Sequence, residues 1–266
     1  MEIVGLIPAA GKANRISPIP CSKELFPVAL NTNDQKDCRI KVVSHFLLDK
    51  MKRAGASKGF IILREGKWDI PAYWGAGEMV EMPLAYLMMG LPYGVPYTLD
   101  QAYPFVKDKL VLFGFPDIIF EPDDAFVRLC TKLKGTDTDL VLGLFPAHRP
   151  QKMDMVELDD SASVRNIHIK PQQTPLRYTW IIAVWGPRFT QFIHDYIRTN
   201  LPAYENEKVE GFHSKSRELH LGHVIQAAID QDIGTDTIIF EQGTYLDIGT
   251  PEDLAKAVET YFHSKE

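Results

Sequence analysis

The residues best suited to chemistry lie close to the start of the chain. They are Pro8-Ala9-Ala10-Gly11-Lys12-Ala13-Asn14-Arg15, in a segment that runs on to Lys23. The backbone N–H groups of Ala9, Ala10, Gly11 and Lys12 can turn inward as an anion nest. Arg15 and Lys23 add two cations. A triphosphate carries about four negative charges, so binding it takes several cations and a metal ion. Pro8, Pro18, Pro20 and Pro27 stiffen the segment. It is neither a G-x-x-x-x-G-K-[ST] loop nor a G-x-G-x-x-G fingerprint. The competing reading is an ordinary loop with surface Arg and Lys. A second candidate pair is Asp117 and Asp247. Each follows an apolar, strand-like run, so both could converge at one sheet edge and hold a hard Mg²⁺ together with phosphate oxygens and water. Alternatively each caps a turn, Asp247 beside Gly249-Thr250-Pro251.

The elements needed to position these groups can be read in outline. Ile3–Ile7 reads as a buried parallel strand. Val42, Val43, Phe46, Leu47 and Met51 recur at helical spacing, and Gly55 closes that helix. Phe60–Leu63, Lys109–Phe113 and Asp139–Phe145 read as strands, with a helix at Asp123–Leu133. Pro83–Met89 reads as a short helix, and Thr98 as the N-cap of another. Alternating strands and helices imply a mostly parallel sheet with helices on both faces. Met153–Leu158, Val164–Ile169 and Thr179–Trp185 form a β-rich insertion. Helices at Pro187–Thr199 and Glu218–Gln231, a strand at Thr237–Phe240 and a helix at Pro251–His263 complete the chain. Polar Glu205–Arg217 reads as a loop.

Length and composition suit one α/β domain. The chain has 266 residues, 45% hydrophobic and 24% charged, enough for a sizeable core. A net charge of -6 argues against a duplex-binding surface. Three cysteines, with no CxxC, fit a reducing cytoplasm better than a disulfide framework. The apolar N-terminus lacks a basic n-region, and no run approaches the ~20 apolar residues of a membrane span.

The loop, with Ser22-Lys23-Glu24-Leu25-Phe26-Pro27-Val28, resembles the opening signature of sugar-1-phosphate nucleotidylyltransferases, the family of glucose-1-phosphate thymidylyltransferase and UTP–glucose-1-phosphate uridylyltransferase. Phe113-Gly114-Phe115-Pro116-Asp117, Ile169-Lys170-Pro171 and Tyr245-Leu246-Asp247-Ile248-Gly249-Thr250-Pro251-Glu252 look like later landmarks of that family, in order. The resemblance implies a Rossmann-like, nucleotide-diphospho-sugar-transferase type of fold. Residues 1–266 would form a single domain, with a nucleotide-binding part at about 1–145 and an acceptor-binding part at about 146–266. It implies catalytic roles for Arg15, Lys23 and Lys170, Mg²⁺ on Asp117 and Asp247, and nucleotide contacts from Ala9–Lys12, Tyr93, Thr98 and Gln101. The implied partners are an NTP and a phosphorylated small acceptor, with no nucleic acid and no membrane. The Met82–Met89 run reads as helix core rather than a cofactor box, and a surface-exposed Trp or Tyr there could instead serve homo-oligomer contacts.

The family pattern breaks at several points. Ala13 and Asn14 stand where the family has Gly and Thr, and a Cβ at position 13 opposes a positive φ. Ile169 replaces a glutamate that bonds sugar hydroxyls, and Asp154 stands at a glycine near the sugar. Tyr93 and Thr98 replace a glutamine and a glycine, and Tyr178–Trp185 lacks a Thr-Gly pair. These changes imply that the usual hexose binds differently or is not the acceptor. Two rivals follow: a catalytically weakened nucleotide-sugar sensor, and a cytidylyltransferase acting on a non-sugar phosphate. His213, His220 and His223 lack the partners of a structural zinc site, and Cys21 has no identifiable base to make it a nucleophile.

Overall fold

The computed structural model describes residues 1–31, 39–90, 93–160, 162–209 and 218–263. Strand β1 (Ile3–Pro8) leads into the loop. A hairpin of β2 (Pro27–Asn31) and β3 (Arg39–Val42) precedes helix α1 (Val43–Arg53). Then come β4 (Lys58–Leu63), α2 (Asp69–Trp74), β5 (Leu84–Met88), α3 (Val95–Asp100), α4 (Tyr103–Val106), β6 (Leu110–Gly114) and β7 (Ile118–Glu121). The middle of the chain supplies α5 (Ala125–Gly135), β8 (Leu140–Pro146), β9 (Asp154–Leu158), β10 (Val164–Ile169), β11 (Tyr178–Trp185) and α6 (Pro187–Val209). The last elements are α7 (Leu221–Ile229), β12 (Thr235–Ile239), β13 (Thr244–Asp247) and α8 (Pro251–His263).

Nine strands form one mixed sheet. β1 lies between β4 and β6, parallel to both, and β5 continues parallel beyond β4. β11 runs antiparallel between β6 and β8, and β12 is parallel to β8. β9 and β10 extend the sheet from the first residues of β11. The central strands are buried on both faces, which their continuous aliphatic runs require. On one face Phe113, Trp180, Trp185 and Phe189 pack with residues of α3, α6 and α7. On the other, Met51 of α1 and Phe126 and Leu129 of α5 cover Leu112, Val141 and Ile182. The sheet with helices on both faces is thus as the sequence suggests.

Four local expectations are corrected. Pro83–Met89 is not a helix: Leu84–Met88 is edge strand β5, paired residue by residue with Gly59–Leu63. Leu, Ala and Met are good helix formers, but the preference is small per residue and a ready-made partner strand overrides it. Thr98 is not an N-cap but lies inside α3, where its hydroxyl donates to the Gly94 carbonyl at 3.3 Å. Within the β-rich second half, β11 is integral to the sheet rather than an appendage, since Ile182–Trp185 pair with Val111–Gly114. Glu205–Val209 continue α6 instead of forming a loop, while 210–217 lie outside the described residues. Among the described residues no helix is long and apolar enough to cross a membrane.

Candidate active site

β1 and β6 are parallel neighbours, so the segments that leave them emerge at the same sheet edge. The chain moves to one side of β1 for β4 and to the other for β6, a switch point where α/β sheets open a crevice. Asp117 follows β6 by three residues, at the mouth of that crevice. Asp247 arrives by a different route. β13 pairs antiparallel with β7, putting Asp247 opposite Ile118, and the Ile248 N–H donates to the Asp117 carbonyl at 2.9 Å. This two-stranded ribbon brings together carboxylates far apart in sequence.

Lys23 lies in a short 3₁₀ turn, Lys23–Leu25, and forms an ion pair with Asp117. The two side chains are only 13% and 16% exposed. Burial works against the Lys23 ammonium, but Asp117, helped by Glu24 and Asp247, outweighs it and raises its pKa above the ordinary value. Burial, then the nearby Asp117, pushes the Asp247 carboxyl upward, while Lys23 and Arg15 partly offset this.

Two ties outside the loop hold this turn in place. Lys67 Nζ donates to both carboxylate oxygens of Glu24 at 2.7 Å. The Ser22 N–H and hydroxyl donate to Asp69 at 2.5 and 2.7 Å. Sequence reasoning missed both, because nothing in local spacing links residues 43 and 47 positions apart. The thiol of Cys21, half-buried beside this turn, has its pKa raised by burial and by Asp69 and Glu24, so it is protonated and unsuited to nucleophilic attack.

The loop forms one wall of the cleft through Ala10, Gly11, Lys12 and Asn14, with Lys23 and Asp117 beneath. Ala9 is spent elsewhere: its N–H donates to the Ile62 carbonyl at 2.9 Å. Ala13 adopts φ +52°, contrary to the expectation that its Cβ would forbid this geometry. Its carbonyl accepts from the N–H groups of Ile16 and Ser17, both at 3.1 Å, and from the Ser17 hydroxyl at 3.0 Å. The turn is therefore kept at the expense of left-handed strain. Ala13→Gly is expected to stabilise the protein by about 0.5–1 kcal/mol, despite the freer unfolded chain, as read from urea unfolding midpoints. A destabilised variant would show that the turn carries no strain.

The far wall is Gly94, Val95 and Thr98 of the α3 end, with Phe115 and Glu218. Thr98 thus reaches the cleft. Tyr93 is buried in the core, 5.3 Å from the Tyr97 ring. Gln101 is not among the cleft residues, and its amide donates to the Tyr97 carbonyl at 3.3 Å. Arg15 turns toward an adjoining hollow shared with Asp247, His148, Arg149, Lys152 and Lys256. A Cβ built on Gly249 would sit 2.9 Å from its guanidinium, so the glycine lets the arginine lie close against the backbone there. Lys170, at φ +42°, is not among the residues that line the cleft, and its charge acts on Asp154 and His220. His220 and His223 have ring centroids 5.6 Å apart, and no group of three potential metal-binding side chains occurs among the described residues. His213 lies outside them.

Comparisons with known proteins identify the family and the fold. The nucleotidyl transferase family matches residues 4–264. The low-salt glycan biosynthesis nucleotidyltransferase Agl11 of Haloferax volcanii is 24% identical over 265 residues, covering 98% of this chain and 66% of that protein. A glucose-1-phosphate thymidylyltransferase of Streptomyces antibioticus is 24% identical over 264 residues, covering 98% of this chain and 67% of its own length. The chain thus spans about two thirds of these curated relatives. A Bacillus anthracis structure assigned as a glucose-1-phosphate thymidylyltransferase, in complex with a sucrose, superposes with a TM-score of 0.79 at 18% identity, covering 99% of this chain and 97% of the other. A UDP-glucose pyrophosphorylase complexed with UDP-glucose gives 0.76 at 13% identity, covering both chains fully. These structures share the Rossmann-like fold. The match runs from β1 to the end of α8 and includes every segment that builds the cleft, so the chain belongs to the nucleotidyl transferase family.

Proposed function

We propose that this protein is an NTP:sugar-1-phosphate nucleotidylyltransferase or a close variant acting on a similar phosphate acceptor. The observation that carries this reading is the Lys23–Asp117 pair, buried at the mouth of the β1/β6 crevice with Asp247 beside it. Residues 1–145 would hold the nucleotide and 146–266 the acceptor. Backbone N–H groups of Ala10, Gly11 and Lys12 cradle the phosphates. Lys23, held in place by Asp117, neutralises the reacting phosphoryl group, and Arg15 swings from the adjoining hollow toward the leaving phosphates. Lys170 grips the acceptor phosphate, and Thr98 lies within reach of the base. An acceptor phosphate oxygen attacks the α-phosphorus in line and pyrophosphate departs. No protein nucleophile is needed, and positioning with charge neutralisation carries the rate.

Asp117 and Asp247 fit a Mg²⁺ ion. They offer hard oxygen ligands, and burial together with the Asp117 charge raises the Asp247 pKa against the partial offset of Lys23 and Arg15, a penalty that a bound cation would relieve. When bound, the ion acts as a Lewis acid on the phosphoryl oxygens. The free thiols of Cys21 and Cys130 suit a cytoplasmic setting. The test is a pyrophosphate-release assay crossing the common NTPs with sugar 1-phosphates and small phosphate monoesters, with Mg²⁺. At least one pair should turn over. Nucleotide binding with no release from any pair would favour the rival sensor reading instead.

A further inference from the structure

Beside the cleft, the corner formed by β9 and β11 holds two buried polar atoms without a hydrogen-bond partner among the described residues: Oδ1 of Asp154 and the indole Nε1 of Trp180. Buried polar atoms are rarely left so, and each calls for a ligand group or a water. The residues that carry them stand opposite each other on neighbouring strands. Tyr178 pairs with Val156 and Thr179 with Met155, so the next residue, Trp180, comes abreast of Asp154. The Thr179 hydroxyl donates to the Asp154 carbonyl at 2.8 Å, fixing that register. Strand alternation puts Asp154, Val156 and Trp180 on one face, and Val156 and Trp180 pack in the same core cluster.

The corner adjoins the cleft. Phe115 lines the cleft, and its ring centroid is 6.1 Å from that of Trp180. On the other side, Asp154 Oδ2 lies against the first turn of α7, where a Cβ on Gly222 would come within 2.7 Å of it. Lys170 follows Ile169, the residue paired with Asp154. Burial raises the Asp154 carboxyl to about 6, with Lys170 drawing it partly down, and among the described residues no cation forms an ion pair with it.

The two atoms define their ligand. An ionised carboxylate only accepts hydrogen bonds, and an indole N–H only donates. A ligand that satisfies both must bring a donor, best a charged one, next to an acceptor oxygen. With Lys170 one residue beyond the strand pair, a phosphate would lie a short chain away. We propose that Asp154 and Trp180 form an acceptor subsite for an ammonium group, making phosphate monoesters that carry a primary amine the preferred acceptors over neutral polyol phosphates. The proposal takes the nucleotidyl-transfer reading as its frame. In the reaction the acceptor's phosphate oxygen forms a bond to the α-phosphorus, the α–β bridging P–O bond breaks, and pyrophosphate leaves with the electron pair. The ammonium keeps its protons throughout.

The test uses matched acceptors differing only in amine or hydroxyl: ethanolamine phosphate against 2-hydroxyethyl phosphate, and glucosamine 1-phosphate against glucose 1-phosphate. Turnover is read as pyrophosphate release and binding by calorimetry. In at least one pair the amine should win by about tenfold or more in kcat/KM or in affinity. Asp154→Asn should bring that ratio close to one. Trp180→Phe, which keeps an aromatic side chain but removes the N–H, should weaken binding of the amine-bearing acceptor. Equal or better use of the hydroxyl partners, an unchanged ratio in Asp154→Asn, or no binding of either amine phosphate would overturn the proposal. Asp154-dependent amine binding without pyrophosphate release from any NTP would instead remove nucleotidyl transfer and leave the subsite standing.

Discussion

Asp117→Asn is expected to lower turnover by on the order of 10³-fold while the protein remains folded. The substitution keeps shape and removes one charge. The loss falls twice: Lys23 loses its fixed partner, and the oxygen pair at Asp117 and Asp247 loses half its charge. The fold has little reason to fail, because Asp117 ties β7 to β13 through its backbone carbonyl, which accepts from Ile248. Lys23 also still feels Glu24 and Asp247, so its ammonium is not left alone in a buried site. Steady-state pyrophosphate release should therefore collapse with an unchanged circular-dichroism spectrum and a melting temperature close to that of the parent. Wild-type turnover in this variant would remove Asp117 from the mechanism. A collapse in turnover accompanied by unfolding would mark Asp117 as structural.

That outcome would test a site only partly written in local sequence. β1 and the loop were legible, because a short aliphatic run followed by Gly, Pro and cations has few other meanings in an α/β chain. Asp117 and Asp247 were legible as strand-end carboxylates, but their convergence depends on the β7–β13 ribbon, whose register is set by pairing across the fold. Ala13 misled in the other direction. A non-glycine residue suggested a changed turn, yet three hydrogen bonds to its carbonyl hold the left-handed conformation. β5 was misread because its Leu, Ala and Met carry no strand signal of their own, and the exposed edge of β4 decides its state. The Asp154–Trp180 corner could not be read at all. Asp154 stood out as a departure from the family pattern, but the unpartnered indole beside it emerges only from the pairing of β9 with β11.

The ion pair beneath Lys23 is the other place where one substitution should matter most. Glu24 and Lys67 are 3% and 7% exposed, and the lysine spans both carboxylate oxygens at 2.7 Å. Replacing a buried pair as a unit is often tolerated, whereas removing one partner strands a charge and costs about 3–5 kcal/mol. Lys67→Met should therefore destabilise the protein by about that much near neutral pH. Glu24→Gln/Lys67→Met should recover most of the loss. The pH dependence has a definite sign. Burial already raises the Glu24 pKa above its ordinary 4.5, against the pull of Lys67. Without Lys67 it rises further. The variant then holds this proton to a higher pH than the parent does, so its deficit opens as pH climbs past the parent's own raised Glu24 pKa, which already lies above 4.5, and closes again in acid. Urea unfolding of both proteins at neutral and mildly acidic pH reads this as a gap that narrows with acidification. A gap of the same size at both would mean that packing, not charge, holds Lys67 in place. Because Glu24 adjoins Lys23 in the same turn, the variant should also lose turnover under conditions where it is still folded, which ties the stability of this buried pair to the placement of the cation that faces the phosphates.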